Sequence, residues 1–144
     1  MNLYFACSVT GGRDDLDVYQ AIVSALVAAG HEVPTAILAT PGVVDLEEIV
    51  DPVEVYTRDM EWIQGCDALV AEVSTPSHGV GYEIGYALNL GKPALCLHRV
   101  GVKVSKMITG NTQPGLTVRC YQTKEEAVEI SHRFIRDILS GNTD

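Results

Sequence analysis

Apolar residues along the chain alternate between short continuous runs and longer stripes at helical spacing. The run LYFAC at 3–7 predicts a first buried strand. After a Gly-rich connection, Tyr19, Ile22, Val23, Leu26 and Val27 recur every three or four positions, which predicts a helix closed by Gly30. Asp14, Asp15 and Asp17 fall in its first turn and suit the helix dipole. Residues 32–38 predict a second strand, although Pro34 interrupts it. Pro41 and Gly42 mark a turn, 45–50 add a helical turn, and 52–65 predict a helix opened by Pro52. Residues 68–73 read as a buried strand. Residues 77–90 read as a helix with Val80, Ile84, Ala87 and Leu88 inward and Gly91 as its stop. A strand at 93–97, a short helix at 104–108 and a strand at 116–121 follow. The last helix opens on a Thr123/Glu126 capping box and continues through Val128, Ser131, Ile135, Ile138 and Leu139.

Strands alternating with helices imply an α/β fold with a parallel sheet covered on both faces. Five strands suit a flavodoxin-like three-layer domain of strand order 2-1-3-4-5 over residues 1–140, with 141–144 as a short tail. In such a sheet the ligand lies beyond the C-terminal strand ends, where strands 1 and 3 adjoin. That geometry selects two loops, 8–13 and 72–83, both rich in Gly, Ser and carboxylate.

The 144 residues are 47% hydrophobic and 20% charged, the balance of one soluble globular domain. Ten Lys and Arg against 19 Asp and Glu give a net charge of −9, which disfavours nucleic-acid polymers but leaves room for one nucleotide in a local pocket. No apolar run approaches the roughly 20 residues of a membrane span, and the N-terminus lacks a signal peptide's basic region. A cytoplasmic location is expected. Cys7, Cys66, Cys96 and Cys120 form no CxxC pair, and their spacing suits no zinc site. Cys7 and Cys96, in or beside apolar runs, are expected as buried reduced thiols.

Several residues are chemical candidates. Ser8, Val9, Thr10, Gly11, Gly12 and Arg13 join the first strand to the first helix, where glycines admit a ligand and helix N–H groups favour an anion. The loop is neither GxGxxG nor a Walker sequence, and it also reads as a tight turn. In the second loop Gly79 and Gly81 permit close approach. Glu83 is expected in the first turn of its helix, as a nucleophile toward a sugar carbon or merely as an offset to the dipole. Glu72 is a rival site residue or a structural acceptor of N–H groups. Asp59 shares a helix face with Val55, Tyr56, Trp62 and Ile63, so it is either a general acid raised by burial or a surface acid beside Arg58 and Glu61. Trp62 reads as core. The Tyr4 hydroxyl reaches the strand-end cleft or packs inside. His78 borders the cleft. Ser105, with Lys103 and Lys106, forms an isolated positive patch suited to a phosphate or to solvent.

The blocks LYFACS with Gly11-Gly12-Arg13, Asp59-Met60-Glu61-Trp62, Ala71-Glu72-Val73-Ser74 with Pro76-Ser77, Gly79-Val80-Gly81-Tyr82-Glu83-Ile84-Gly85 and Ser105-Lys106-Met107-Ile108 occur in that order. Together they resemble the 2'-deoxynucleoside 5'-phosphate N-hydrolases of the nucleoside 2-deoxyribosyltransferase superfamily. The resemblance implies cleavage of deoxynucleoside 5'-monophosphates to free base and 2-deoxyribose 5-phosphate, with no metal or organic cofactor. It makes Glu83 the nucleophile, Asp59 the carboxylate that orients it and serves acid/base work, and Tyr4 a hydroxyl beside both. Ser8 and Ser77 match phosphate-contacting serines, within substrate-binding stretches that include Val9 to Arg13, Gly79, Lys106 and Met107. Ser105 matches a serine reaching the phosphate of a neighbouring subunit, which implies a homodimer. The chain departs from the family pattern at Thr10, where an arginine is usual. Base exchange by the same intermediate, or nucleotide binding without turnover, are the competing readings.

Overall fold

The computed structural model describes residues 1–141, the side chains at 46 and 47 excepted. Strands β1 (Leu3–Ala6), β2 (Ala68–Glu72), β3 (Ala94–Arg99) and β4 (Leu116–Tyr121) pair in that order, all parallel. The helices are α1 (Leu16–Ala28), α2 (Val43–Ile49), α3 (Pro52–Gly65), α4 (His78–Asn89), α5 (Lys106–Thr109) and α6 (Lys124–Leu139). Of the expected tail, 142–144 lie outside the described residues. No helix among the described residues is long and apolar enough to cross a membrane.

The sheet has four strands, in the order β1-β2-β3-β4, and not the five of order 2-1-3-4-5 expected from the sequence. The expected second strand begins and stops at once. Glu32 makes an isolated parallel bridge to Asn2, and Leu3 N donates to Glu32 O at 2.8 Å. Pro34, which lacks an N–H for a ladder, then opens a 3₁₀ helix, Pro34–Ala39. The outer edge of β1 is satisfied by a side chain instead, as Phe5 N donates to Thr35 Oγ1 at 2.9 Å.

Alternation along β1 decides which side chains meet which helices. Leu3 and Phe5 face the cluster that contains Val18, Tyr19, Ile22 and Leu26 of α1 with Ala127 and Ile135 of α6. Tyr4 and Ala6 face the opposite cluster, with Met60 and Ile63 of α3 and Val80, Ile84, Ala87 and Leu88 of α4. Helices on both faces make three layers. The inward set expected for α4 is the buried set. Cys7 and Cys96 are buried, and burial pushes each thiol up to about 12.

Local chemistry fixes the helix that matters most. Ser77 caps α4, its Oγ accepting from Val80 N at 3.3 Å. α3 starts on Pro52, with the Asp51 side chain accepting from Val53 N at 2.8 Å. The Thr123 cap forms as expected, but Glu126 closes back on Gln122 N at 2.7 Å, one residue earlier than a standard capping box.

Candidate active site

Tyr4, Asp59 and Glu83 come from three elements to one place on the α3/α4 face. The Tyr4 hydroxyl donates to Glu83 Oε1 at 2.7 Å. Tyr4 and Asp59 are buried, and Glu83 is half-buried. Glu83 is not in the first turn of its helix. α4 begins at His78, so Glu83 is its sixth residue, about 7.5 Å of rise below the first. The dipole therefore does not set its ionisation. Burial does, lifting the carboxyl from 4.5 to about 7; the nearby Asp59 charge adds to the rise, while the Tyr4 bond and the Arg58 charge oppose it. The Tyr4 phenol is held far above its ordinary range by burial and by the Glu83 and Asp59 charges. Arg58 Nε donates to Asp59 Oδ1 at 2.8 Å, and its guanidinium lies 4.9 Å from the centre of the Trp62 ring.

The two loops selected from the sequence meet above this face. A Cβ on Gly11 would lie 2.5 Å from Pro76 O and 2.9 Å from Ser8 Oγ, so the backbones abut and only glycine fits. Gly12 adopts φ +135 beside Thr75. Ser8 is fully buried, and its Oγ makes no hydrogen bond among the described residues. Val9 is half-buried and Thr10 exposed. Arg13 turns beneath the loop. Its guanidinium donates to Ser8 O (3.0 Å), Leu38 O (2.8 Å) and Thr40 O (2.9 Å), so it braces the backbone rather than facing outward. Asp15, expected in the first turn of its helix, precedes α1 by one residue and is buried and paired with Arg99 at 2.6 Å, with Thr75 Oγ1 donating to it at 3.3 Å.

Other candidates are placed elsewhere. Glu72 is fully buried and accepts from Ser74 N, from Ser74 Oγ and from the Tyr121 hydroxyl at 2.9 Å, which makes it a structural acceptor. Ser105 caps α5 by accepting from Met107 N at 3.2 Å, and Ser105, Lys106 and Met107 are exposed. They line a cavity of about 740 Å³ with Ser77, His78, Val80 and Ile84. Those α4 positions lie on a different helix face from Glu83 and Gly79, so this chain's own Ser105 is not brought to Glu83. Gly79 and Gly81 are exposed, and a Cβ on Gly81 would meet nothing within 4 Å. Sequence reasoning took Arg58 only as a charged neighbour of Asp59 and Trp62 only as core. Their i, i+4 spacing next to Asp59 was the available signal. Among the described residues, no group of three or more His, Cys, Asp or Glu is arranged to hold a metal.

Residues 3–127 match the nucleoside 2-deoxyribosyltransferase family model. A Methanosarcina mazei protein whose name assigns it to the 2'-deoxynucleoside 5'-phosphate N-hydrolases is 42% identical over 135 residues, 94% of this chain and 84% of its own. The 5-hydroxymethyl-dUMP N-hydrolase of Danio rerio is 41% identical over 133 residues, 90% of this chain and 91% of its own. Among solved structures, a Clostridium botulinum CMP N-glycosidase shares the fold with a TM-score of 0.70 at 20% identity, over 92% of this chain and 98% of that one. The resemblance drawn from the ordered sequence blocks thus extends over nearly the whole chain, and the protein belongs to the nucleoside 2-deoxyribosyltransferase family, in its 2'-deoxynucleoside 5'-phosphate N-hydrolase group.

Proposed function

We propose that the chain hydrolyses the N-glycosidic bond of 2'-deoxynucleoside 5'-monophosphates, giving free base and 2-deoxyribose 5-phosphate through a covalent glycosyl-enzyme on Glu83. Membership of a family of glycosidic-bond enzymes supports the class of reaction. The observation that carries the mechanism is the half-buried Glu83 held by Tyr4 at 2.7 Å, with the Asp59 charge near enough to act on the same carboxyl. With Oε1 fixed by the phenol, Oε2 attacks the anomeric carbon. The C1'–N bond breaks, its electron pair goes to the base nitrogen, and Asp59 delivers the proton that makes the base a competent leaving group. Water then attacks the same carbon from the vacated side, Asp59 takes its proton, and Glu83 leaves as carboxylate.

The two loops are suited to the 5'-phosphate. In this reading Ser8, the backbone of 9–13 and Ser77 at the start of α4 hold the phosphate, supported by a buried Ser8 Oγ with no hydrogen bond among the described residues and by the close approach of Gly11 to Pro76. Arg13 shapes that cradle from below. Ser105, with Lys106 and Met107, completes the cradle of a second copy in a homodimer. The phosphate thereby supplies remote binding energy that is used at the reacting centre.

The test is base release from a panel of deoxynucleoside and ribonucleoside 5'-monophosphates by wild type and Glu83→Ala. The expected result is free base from the deoxy series, abolished in the variant. Ligand binding with no base release from any member would overturn the hydrolase in favour of a binding module. Adding a second free base and finding a new nucleotide would replace hydrolysis by transfer.

A further inference from the structure

Arg58 and Asp59 are consecutive on α3, and adjacent helical side chains diverge by about 100°. A bond between them is therefore not a product of the helix. It forms because Arg58 folds along the helix onto Trp62, four residues on, which turns Nε toward Asp59 Oδ1 at 2.8 Å. The pair is shielded, with side-chain exposures of 29% for Arg58 and 12% for Asp59. We propose that Arg58 is a positioning residue of this site: fixed on Trp62, it aims Asp59 toward Glu83 and supplies positive charge that favours the ionised, nucleophilic Glu83. The proposal rests on the reading of Glu83 as nucleophile.

Among the described residues, the titratable groups that act on Glu83 are Tyr4 and, at longer range, Cys7 from the β1 side, and Asp59 and Arg58 from α3. Of these, only Arg58 is cationic. Burial and the Asp59 charge both favour the protonated, non-nucleophilic Glu83, whereas Arg58 acts against them on Glu83 and on Tyr4 alike. Neighbouring carboxylates resist joint ionisation, so the Asp59 charge works against an ionised Glu83. Arg58 lowers the cost of charge on Glu83, the group that must be ionised for attack.

The experiment follows the carbon-13 shift of the Glu83 side-chain carboxyl through a pH titration, assigned by its loss in Glu83→Gln. Wild type, Arg58→Gln and Arg58→Lys are compared, with thermal melts to verify folding. The midpoint is expected to rise by about one pH unit in Arg58→Gln and to return toward wild type in Arg58→Lys. No movement in Arg58→Gln, or an equal rise in Arg58→Lys, overturns the proposal. Kinetics give a second readout. Where wild type releases base, kcat/KM of Arg58→Gln falls about tenfold at pH 6 and little at pH 9, because the acid limb moves with Glu83. An equal loss at every pH marks a merely structural role and overturns the proposal. Failure of wild type to release base from any deoxynucleotide sinks the proposed activity, and the titration then decides the role of Arg58 by itself.

Discussion

Glu72 ends β2 and Glu83 lies in the second turn of α4, the next helix, and burial lifts both carboxyls above their ordinary range. They are nevertheless different groups. Glu72, at the end of β2, is completely enclosed and accepts from the Ser74 amide, the Ser74 hydroxyl and the Tyr121 hydroxyl. Ser74 Oγ in turn accepts from Arg99 N at 2.8 Å, so the cluster ties the loop after β2 to the ends of β3 and β4. Glu83 is half-buried and fixed through one oxygen by one phenol, with Asp59 nearby. A raised pKa therefore does not by itself identify a reacting carboxylate. The distinction is whether the acceptor positions are saturated by the fold, as at Glu72, or left open among the described residues, as at Glu83.

Alanine at each position gives the sharpest separation. Glu83→Ala is expected to lower kcat by about 10³-fold or more while the melting transition moves little, because a nucleophile is lost and no enclosed network is opened. Glu72→Ala is expected to cost about 2–4 kcal/mol of stability, since Ser74 Oγ and the Tyr121 hydroxyl lose a buried acceptor together. Below its melting transition it should still turn over. Urea denaturation with activity assays on both variants checks this, and a catalytically dead but fully stable Glu72→Ala would break the contrast.

Tyr4→Phe tests the one hydrogen bond to the Glu83 carboxylate among the described residues. A rate loss of about 10- to 100-fold is expected, with about 1 kcal/mol of stability, as one hydrogen bond to a half-buried carboxylate disappears. The informative readout is the pH profile. The phenol donates to the charged form and so lowers the Glu83 pKa, and removing it should move the acid limb of kcat/KM above about 7. A uniform loss with an unmoved limb would mean that Tyr4 contacts the sugar without holding the carboxylate.

The helices that carry this contrast were legible because apolar stripes and end signals agree. Pro52, Ser77 and Thr123 begin α3, α4 and α6 or cap their N-termini, and Gly30 and Gly91, at φ +85 and +72, follow α1 and α4. Tyr4 was legible as a strand residue, and its parity placed it on the Asp59 and Glu83 face. The second strand was misread because 32–38 is apolar enough to pass for one, while the side-chain bond from Phe5 N to Thr35 Oγ1 that replaces its ladder has no signature in periodicity. The position of Glu83 in the second turn turned on locating one cap, Ser77, and a shift of a few residues reverses the dipole argument. Arg13 read as part of a ligand loop and Asp15 as a first-turn acid suiting the helix dipole, yet both are committed to long-range partners, Leu38 and Thr40 in one case and Arg99 in the other. Pairings across 25 or more positions depend on tertiary packing and not on spacing along the chain.

The smallest expected effect is on stability, and its sign follows from linkage. Glu83 titrates at about 7 in the folded chain against 4.5 as an ordinary carboxyl. Between those values the native state holds a proton that the unfolded state has released, so stability falls as pH rises through that interval and is flat on either side as far as this group is concerned. Glutamine keeps the shape and does not titrate. Glu83→Gln is therefore expected to match wild type near pH 4 and to exceed it by about 1–2 kcal/mol at pH 8, the full shift being reduced because the carboxyl is only half-buried. Urea denaturation at both pH values measures the difference, in which Glu72 and the other titrating groups cancel. A gain that is the same at both would mean that Glu83 ionises like a surface acid. Asp59 and burial would then not oppose its charge, and the contrast with Glu72 would reduce to solvent exposure alone.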